Sequence, residues 1–319
     1  MRSSSLAFIG MRGACHLGLT LLGLASCATQ SEQPASSRGS GGATPSSAGS
    51  GGAGGPGDAA GSGGAPGSGG AVMSAPADAG GDGVAATDGP AASDGPAPST
   101  STRVLLYTYR TGYRHTSAVP ASQVLRDKLA AMGFTSDIVD ADNNLFTDEN
   151  LARYRLVVMV QSSGSPVGMG DAELNALTKF VRNGGALAGF HAATDVAYPP
   201  EHPYVALMGG KFIGHPGGIR AATCTPVAGA QHPAIAKIPA PFMQTDEIYT
   251  YSGLNPDNQV ILRCSSSDGG PPVPITWYRT EGAGRIFYTG LGHVDGLWTA
   301  DSTFVNNHFF PGVLWTIGR

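Results

Sequence analysis

The chain has 319 residues, a formal net charge of −4, 13% charged residues and 48 glycines. Such a charge balance argues against a nucleic-acid partner, which calls for a basic face. Low charge and excess glycine both depart from a globular average. The glycine excess is concentrated between residues 38 and 100, so the average joins two unlike segments.

Residues 1–27 read as an export signal. Arg2 and Arg12 supply positive charge, and Leu17–Leu24 supplies a short apolar run. That run is too short to span a membrane as a helix. It ends in Leu24-Ala25-Ser26-Cys27, which resembles a bacterial lipobox and implies lipidation at Cys27. An ordinary secretory signal with an accidental cysteine is the other reading. Residues 28–101 are Ser, Gly, Ala and Pro with a few Asp. They lack the apolar surface that folding needs, so a disordered linker is expected. As a coil it spans about 50 Å root-mean-square. The localisation implied is the cell envelope, lipid-anchored and facing the periplasm or outside. The membrane is then a partner through the anchor only.

Residues 102–319 are long enough for one α/β domain. Arg103–Tyr109 reads as a buried strand, followed by a loop through Tyr113, Arg114 and His115. Thr116 or Ser117 opens a helix to about Met132, with Val124, Leu125 and Leu129 inward and Gly133 closing it. Ser136–Asp140 is a strand, Asp148–Tyr154 a short helix, and Leu156–Gln161 a strand apolar on both faces. Gly170–Asn183 is an amphipathic helix.

Then comes Gly184-Gly185-Ala186-Leu187-Ala188-Gly189-Phe190-His191-Ala192-Ala193-Thr194-Asp195. The apolar run Ala186–Phe190 has the length of a central parallel strand. His191 falls just past its carboxyl end, where open α/β sheets place ligands. Gly189-Phe190-His191-Ala192-Ala193 copies the nucleophile elbow with histidine in the nucleophile's seat. A buried histidine satisfied at a strand end is the other reading.

Beyond Asp195 the pattern changes. Three His-Pro pairs, at 202–203, 215–216 and 232–233, mark turns or strand edges. Strand-like segments follow at Ile219–Val227, Glu247–Tyr251, Val260–Cys264, Ile275–Tyr278 and Arg285–Thr289, and a last helix at about Thr303–Ile317. Cys224 and Cys264 can pair as a disulfide or serve as free core residues. Alternating strands and helices call for a parallel first half with right-handed crossovers. The second half is expected to be mixed or antiparallel.

Several segments together resemble the ThuA-like (trehalose utilisation) domain. They are Gly112-Tyr113-Arg114-His115, the 189–195 stretch, Gly209-Gly210-Lys211-Phe212 with His215-Pro216, His232-Pro233, and Thr245-Asp246-Glu247-Ile248-Tyr249. Pro274-Ile275-Thr276-Trp277, the run from Gly284 to His293, and Trp298 close the set. The resemblance covers essentially all of 103–318. It implies an open flavodoxin-like α/β sheet with helices on both faces, similar to class I glutamine amidotransferases. A glutaminase needs a cysteine thiolate at the elbow. Here His191 stands there, so glutamine hydrolysis is not expected. The resemblance implies a role in carbohydrate metabolism, with keto-disaccharides as one substrate class.

His115, His191 and His293 are candidates for catalytic proton transfer, because imidazole exchanges protons near neutral pH. All three are expected in one cleft at the carboxyl edge of the parallel strands, with His215 a further candidate. Tyr113 and Trp298 suit stacking on a sugar ring, and Arg114 with Asp195 or Glu247 suits its polar edge. Adjacent Asp246 and Glu247 point opposite ways in a strand, and Glu247 is the one expected in the cleft. Three histidines and a carboxylate also make a competent zinc site, so a divalent metal is an open alternative. His202, His232 and His308 read as structural. Two classes stay open: an exported enzyme acting on a small carbohydrate, and a non-catalytic sugar-binding module presenting ligand to a partner dehydrogenase or transporter.

Overall fold

The computed structural model describes residues 100–141, 145–164 and 169–319. The export signal, lipid attachment at Cys27, and all but the last two residues of the 28–101 linker lie outside the described residues.

Four strands alternate with three helices in the first half. The strands are β1 (Arg103–Tyr107), β2 (Thr135–Val139), β3 (Leu156–Val160) and β4 (Ala186–Phe190). The helices are α1 (Ala118–Ala130), α2 (Asp148–Leu151) and α3 (Asp171–Arg182). β1 pairs in parallel with β2 and β3, and β3 with β4. Every residue of β3 and β4 is buried, as strands covered on both faces require.

The second half adds α4 (Pro203–Met208), β5 (Lys211–Gly214), β6 (Arg220–Pro226), β7 (Phe242–Asp246) and β8 (Thr250–Ser252). β9 (Gln259–Ser266), β10 (Val273–Glu281), β11 (Gly284–Thr289) and α5 (Phe310–Thr316) complete it. Among the described residues these build a nine-stranded sheet, ordered β2-β1-β3-β4-β11-β10-β9-β6-β7, and a separate β5-β8 ribbon. β11 returns to the middle and lies parallel to β4. β10, β9, β6 and β7 continue from it antiparallel. The parallel first half and mixed second half therefore stand as the sequence implied.

Side chains alternate along each strand between two cores. Val104 and Leu106 pack with Leu125 and Leu129 of α1 and Val313 of α5. Leu105 and Tyr107 pack with Leu151, Leu174, Leu177 and Tyr204 of α2, α3 and α4. Helices thus cover both faces. The chain runs outward from β1 both ways, so the order reverses between β1 and β3. That reversal opens a crevice outside the carboxyl ends of the parallel strands.

Three expectations are corrected. Glu247–Tyr251 is not one strand: β7 stops at Asp246 and β8 resumes at Thr250. The Asp246 carboxylate accepts the Glu247 backbone N–H at 2.9 Å, which bends the chain out of the ladder. The last helix is not uniform. Phe304–Phe309 winds as a π-helix before α5 begins, with Pro311 in the first turn of α5. Proline lacks the N–H that a continuous α-helix would use there. The stretch around the first His-Pro pair contains a helix, α4, which the turn reading missed. Of the two cysteine readings, the disulfide is the one observed: Cys224 and Cys264 face each other across β6 and β9 and are bonded.

Candidate functional site

Each candidate histidine is placed by a strand end. His115 follows β1, His191 follows β4 directly, and His293 follows β11. His191 opens a short 3-10 turn, His191–Thr194, and has a φ of +46°. A non-glycine residue there is strained and is held by its surroundings. Ala192 and Ala193, both fully buried, let the chain turn that sharply. Gly292 also takes positive φ, +123°, and a Cβ there would press on Phe190 and Trp298.

The three imidazoles converge. Ring centroids of His115 and His191 lie 4.9 Å apart, His115 and His293 5.0 Å, and His191 and His293 5.0 Å. His191 Nε2 lies 3.1 Å from His293 Nδ1. Glu247 Oε2 lies 3.2 Å from His293 Nδ1 and 3.5 Å from His191 Nε2. His215 approaches the same oxygen at 3.7 Å. Among the described residues, one donor atom from each of His115, His191, His293 and Glu247 lies within 4.8 Å of all the others. These are the residues that could hold a metal ion.

Electrostatics follow from this crowding. Burial, with His191 and His293 alongside, pushes the His115 ring down to about 3. Burial alone would raise Glu247, but the His191 and His293 rings beside it outweigh burial and hold the carboxyl well below the usual range. For His293 burial works downward, and Glu247 outweighs it and raises the ring. Burial raises Asp195.

The cluster floors a cavity of about 340 Å³ lined by Tyr113, His115, Asp195, Phe212, His215, Glu247, Tyr249 and His293. A second cavity lies between α2 and α3, lined by Asp148, Tyr154 and Lys179 among others; no cluster of histidines adjoins it. Tyr113, His115, His293, Asp195 and Glu247 are thus together at one opening, with His191 fully buried beneath it.

Two expected ligands are elsewhere. Trp298 is 2% exposed and packs on Phe190, Phe304 and Phe309. Its Nε1 donates to the Gly292 carbonyl at 3.0 Å, so its indole supports the His293 loop from the core side and does not wall the cavity. Arg114 points to solvent, where its guanidinium pairs with Asp140 at 3.6 Å. His202, His232 and His308 are structural as expected. His202 and His232 accept backbone N–H groups of Tyr204 and Ala234. Buried His308 bonds Ala234, Thr276 and Thr289.

Three residues with no role read from sequence, together with Asp246, which the sequence reading set aside in favour of Glu247, complete the site. Tyr249 lies on His191, ring centroids 4.1 Å apart, and Phe212 lies on Tyr249 at 4.0 Å. Asp246 is fully buried and accepts the N–H groups of Gly292 and His293 at 2.6 and 3.0 Å. Gln161, also fully buried, has a φ of +55° just past β3. Its signal was the one that marked His191: a polar residue directly after a wholly apolar central strand.

An open α/β sheet with a histidine and carboxylate cluster at the carboxyl edge of its parallel strands defines the class: a flavodoxin-like fold. The chain belongs to the ThuA family, described by trehalose utilisation, and matches it over residues 103–316. The family description ties it to carbohydrate use. Among solved structures, a ThuA-like protein from Bacteroides uniformis is 22% identical, with TM-score 0.51, covering 68% of this chain and 89% of that one. A ThuA-like protein from Parabacteroides merdae is 17% identical, TM-score 0.47, covering 68% and 90%. A cytoplasmic protein from Salmonella typhimurium is 13% identical, TM-score 0.47, covering 68% and 100%. The first of these likenesses supports the fold alone. Comparison with curated proteins by sequence finds no match.

Proposed function

We propose that this protein is an enzyme acting on a small carbohydrate, with keto-disaccharides as the substrate class, in the crevice above His115, His191 and His293. The observation that carries this is the convergence of three imidazoles and Glu247 beneath a cavity walled by Tyr113, Phe212 and Tyr249. Aromatic faces suit the apolar faces of a sugar ring. Asp195 and His215, at the same opening, suit its hydroxyls. Among the described residues no cysteine lines the cleft, which supports the reading that glutamine hydrolysis is not its chemistry.

The protein is also proposed to be an exported lipoprotein. Residues 1–27 and Cys27 support this, and the Cys224–Cys264 bond fits an oxidising compartment. Cys27→Ser is expected to shift the chain from membrane to soluble fractions; continued membrane association would remove the anchor.

Turnover is the test of function. Full-length protein is incubated with disaccharides and their keto derivatives, and binding and product are followed separately. Product is expected, with His191→Ala losing rate by far more than affinity. Saturable binding with no product on any of them would favour the sugar-binding module instead.

A further inference from the structure

We propose that His115, His191, His293 and Glu247 are the ligands of one divalent metal ion of the zinc class, and that Gln161 is the buried residue that sets their geometry. The inference rests on the reading of this crevice as the working site, and it names the centre on which that site is built.

The separations among three of the four donors are those of a coordination shell, and the fourth, from His115, lies within 4.8 Å of them. Ligands about 2.0–2.1 Å from a tetrahedral zinc stand about 3.3 Å from each other. The observed edges are 3.1 Å from His191 Nε2 to His293 Nδ1, and 3.2 and 3.5 Å from Glu247 Oε2 to those nitrogens. The rings stand steeply to one another, at 88°, 85° and 76°, so they meet edge-on around a point instead of stacking.

Hydrogen bonding alone leaves this arrangement short of protons. His191 Nδ1 lies 2.9 Å from the Gly290 carbonyl, which only accepts, so Nδ1 carries the hydrogen. A neutral His191 therefore aims a bare Nε2 at the cluster. Glu247 presents a second acceptor there. The proton on His293 can serve one of them. His115 is 5% exposed, and its Nδ1 is buried without a hydrogen-bond partner of normal geometry. One cation at the centre satisfies the inward lone pairs of His191 and Glu247 at once.

The surrounding shell is of the kind that orients metal ligands. The His191 Nδ1–H bond to a backbone carbonyl fixes that ring's tautomer. Asp246 holds the backbone N–H of both Glu247 and His293, two ligands on separate segments. Gln161 ties the remaining pieces. Its carbonyl accepts from Ala192, next to His191, at 3.2 Å. Its amide donates to the Gly292 carbonyl, next to His293, at 2.9 Å, and to Ser117, two residues past His115, at 2.8 Å. A single side chain thus touches the neighbours of all three histidines. Three imidazoles and one carboxylate suit zinc and its transition-metal neighbours; all-oxygen donors would suit magnesium or calcium. The cluster opens on the cavity side toward Tyr113, Asp195 and His215, so a substrate group reaches the ion from there.

The test uses the full-length chain without a polyhistidine tag, loaded with zinc or cobalt(II) and dialysed. About one equivalent of metal per chain is expected, with the visible absorption of tetrahedral cobalt(II). His191→Ala and Glu247→Gln are expected to lose affinity by 100-fold or more. Gln161→Met keeps every ligand and removes the clamp; it is expected to bind 10- to 100-fold more weakly, with an altered cobalt spectrum. Should a variant fail to fold, zinc-dependent stabilisation of the wild-type chain reads the same site. Less than a tenth of an equivalent bound and no zinc-dependent rise in melting temperature would overturn the metal centre. A Gln161→Met chain with wild-type affinity and spectrum would overturn the clamp. Turnover that survives complete chelation would sink the metal and leave the enzyme reading standing. Bound metal without turnover would do the reverse.

Discussion

Asp246 shows how much of the site depends on one side chain. Its two carboxylate oxygens take three backbone N–H groups, from Glu247, Gly292 and His293. The residue is fully buried, and burial raises its carboxyl despite those bonds. Asn at this position would turn one acceptor into an N–H facing another N–H. Asp246→Asn is therefore expected to cost about 1–3 kcal/mol, read as a lower denaturant midpoint with an unchanged slope. It should also loosen His293 against Glu247. Equal stability of the two chains would mean that these three bonds contribute nothing net. At this scale the sequence revealed which residue types mattered, and strand ends told where they were. His115, His191, His293, Glu247 and Asp195 were legible because each lies at or near a strand end or in a segment with a recognisable pattern. Trp298 and Arg114 were misplaced because an aromatic or a cation carries no mark of the side it faces. Only packing against Phe190 and pairing with Asp140 decide that.

At the scale of elements, the three His-Pro pairs perform one operation. Proline holds the preceding residue extended, and the histidine then turns its Nδ1 onto a backbone N–H just ahead. His202 takes Tyr204 at 3.2 Å, His232 takes Ala234 at 3.1 Å, and His215 takes Gly218 at 3.3 Å. The first starts α4, with Pro203 in its first turn. Removing the cap with His202→Ala is expected to lower stability by about 0.5–2 kcal/mol, measured by thermal melting, with no effect on the crevice. The second half also relies on the Cys224–Cys264 bond, which closes 40 residues between β6 and β9. Cys224→Ala/Cys264→Ala is expected to lose about 2–4 kcal/mol. A double variant that melts with the wild type would show the bond to be incidental. The parallel half was readable because its strands are apolar on both faces and its helices are periodic. α4, β5 and β7 were not: they are short, half polar, and specified by capping and by pairing with distant strands.

For the whole molecule, acid should be the revealing stress. His308 is fully buried and His232 nearly so. Burial pushes each ring down to about 4. In the unfolded chain both take up protons near 6.5. Above that pH neither state binds a proton at these rings, and their full contribution to stability is present. As pH falls from about 6.5 to about 4 the unfolded chain gains protons that the folded chain refuses, so stability declines across that window. Below the folded value both states are protonated and the loss is complete, on the order of 3 kcal/mol per ring. Depressed carboxylates such as Asp137 and Glu281 respond only at lower pH. The ring of His308 bridges strands and helix: Thr276 on β10, Thr289 on β11, and the Ala234 carbonyl. Its protonation therefore strikes the joint between the parallel and antiparallel halves of the sheet. His115, pushed down to about 3, adds to the same decline, so His308→Gln, which keeps a donor and an acceptor but cannot titrate, is expected to flatten it by about a third. Urea melts of both chains at pH 7, 6, 5 and 4 would measure it. Parallel curves for the two chains would show that acid acts on this fold through other groups.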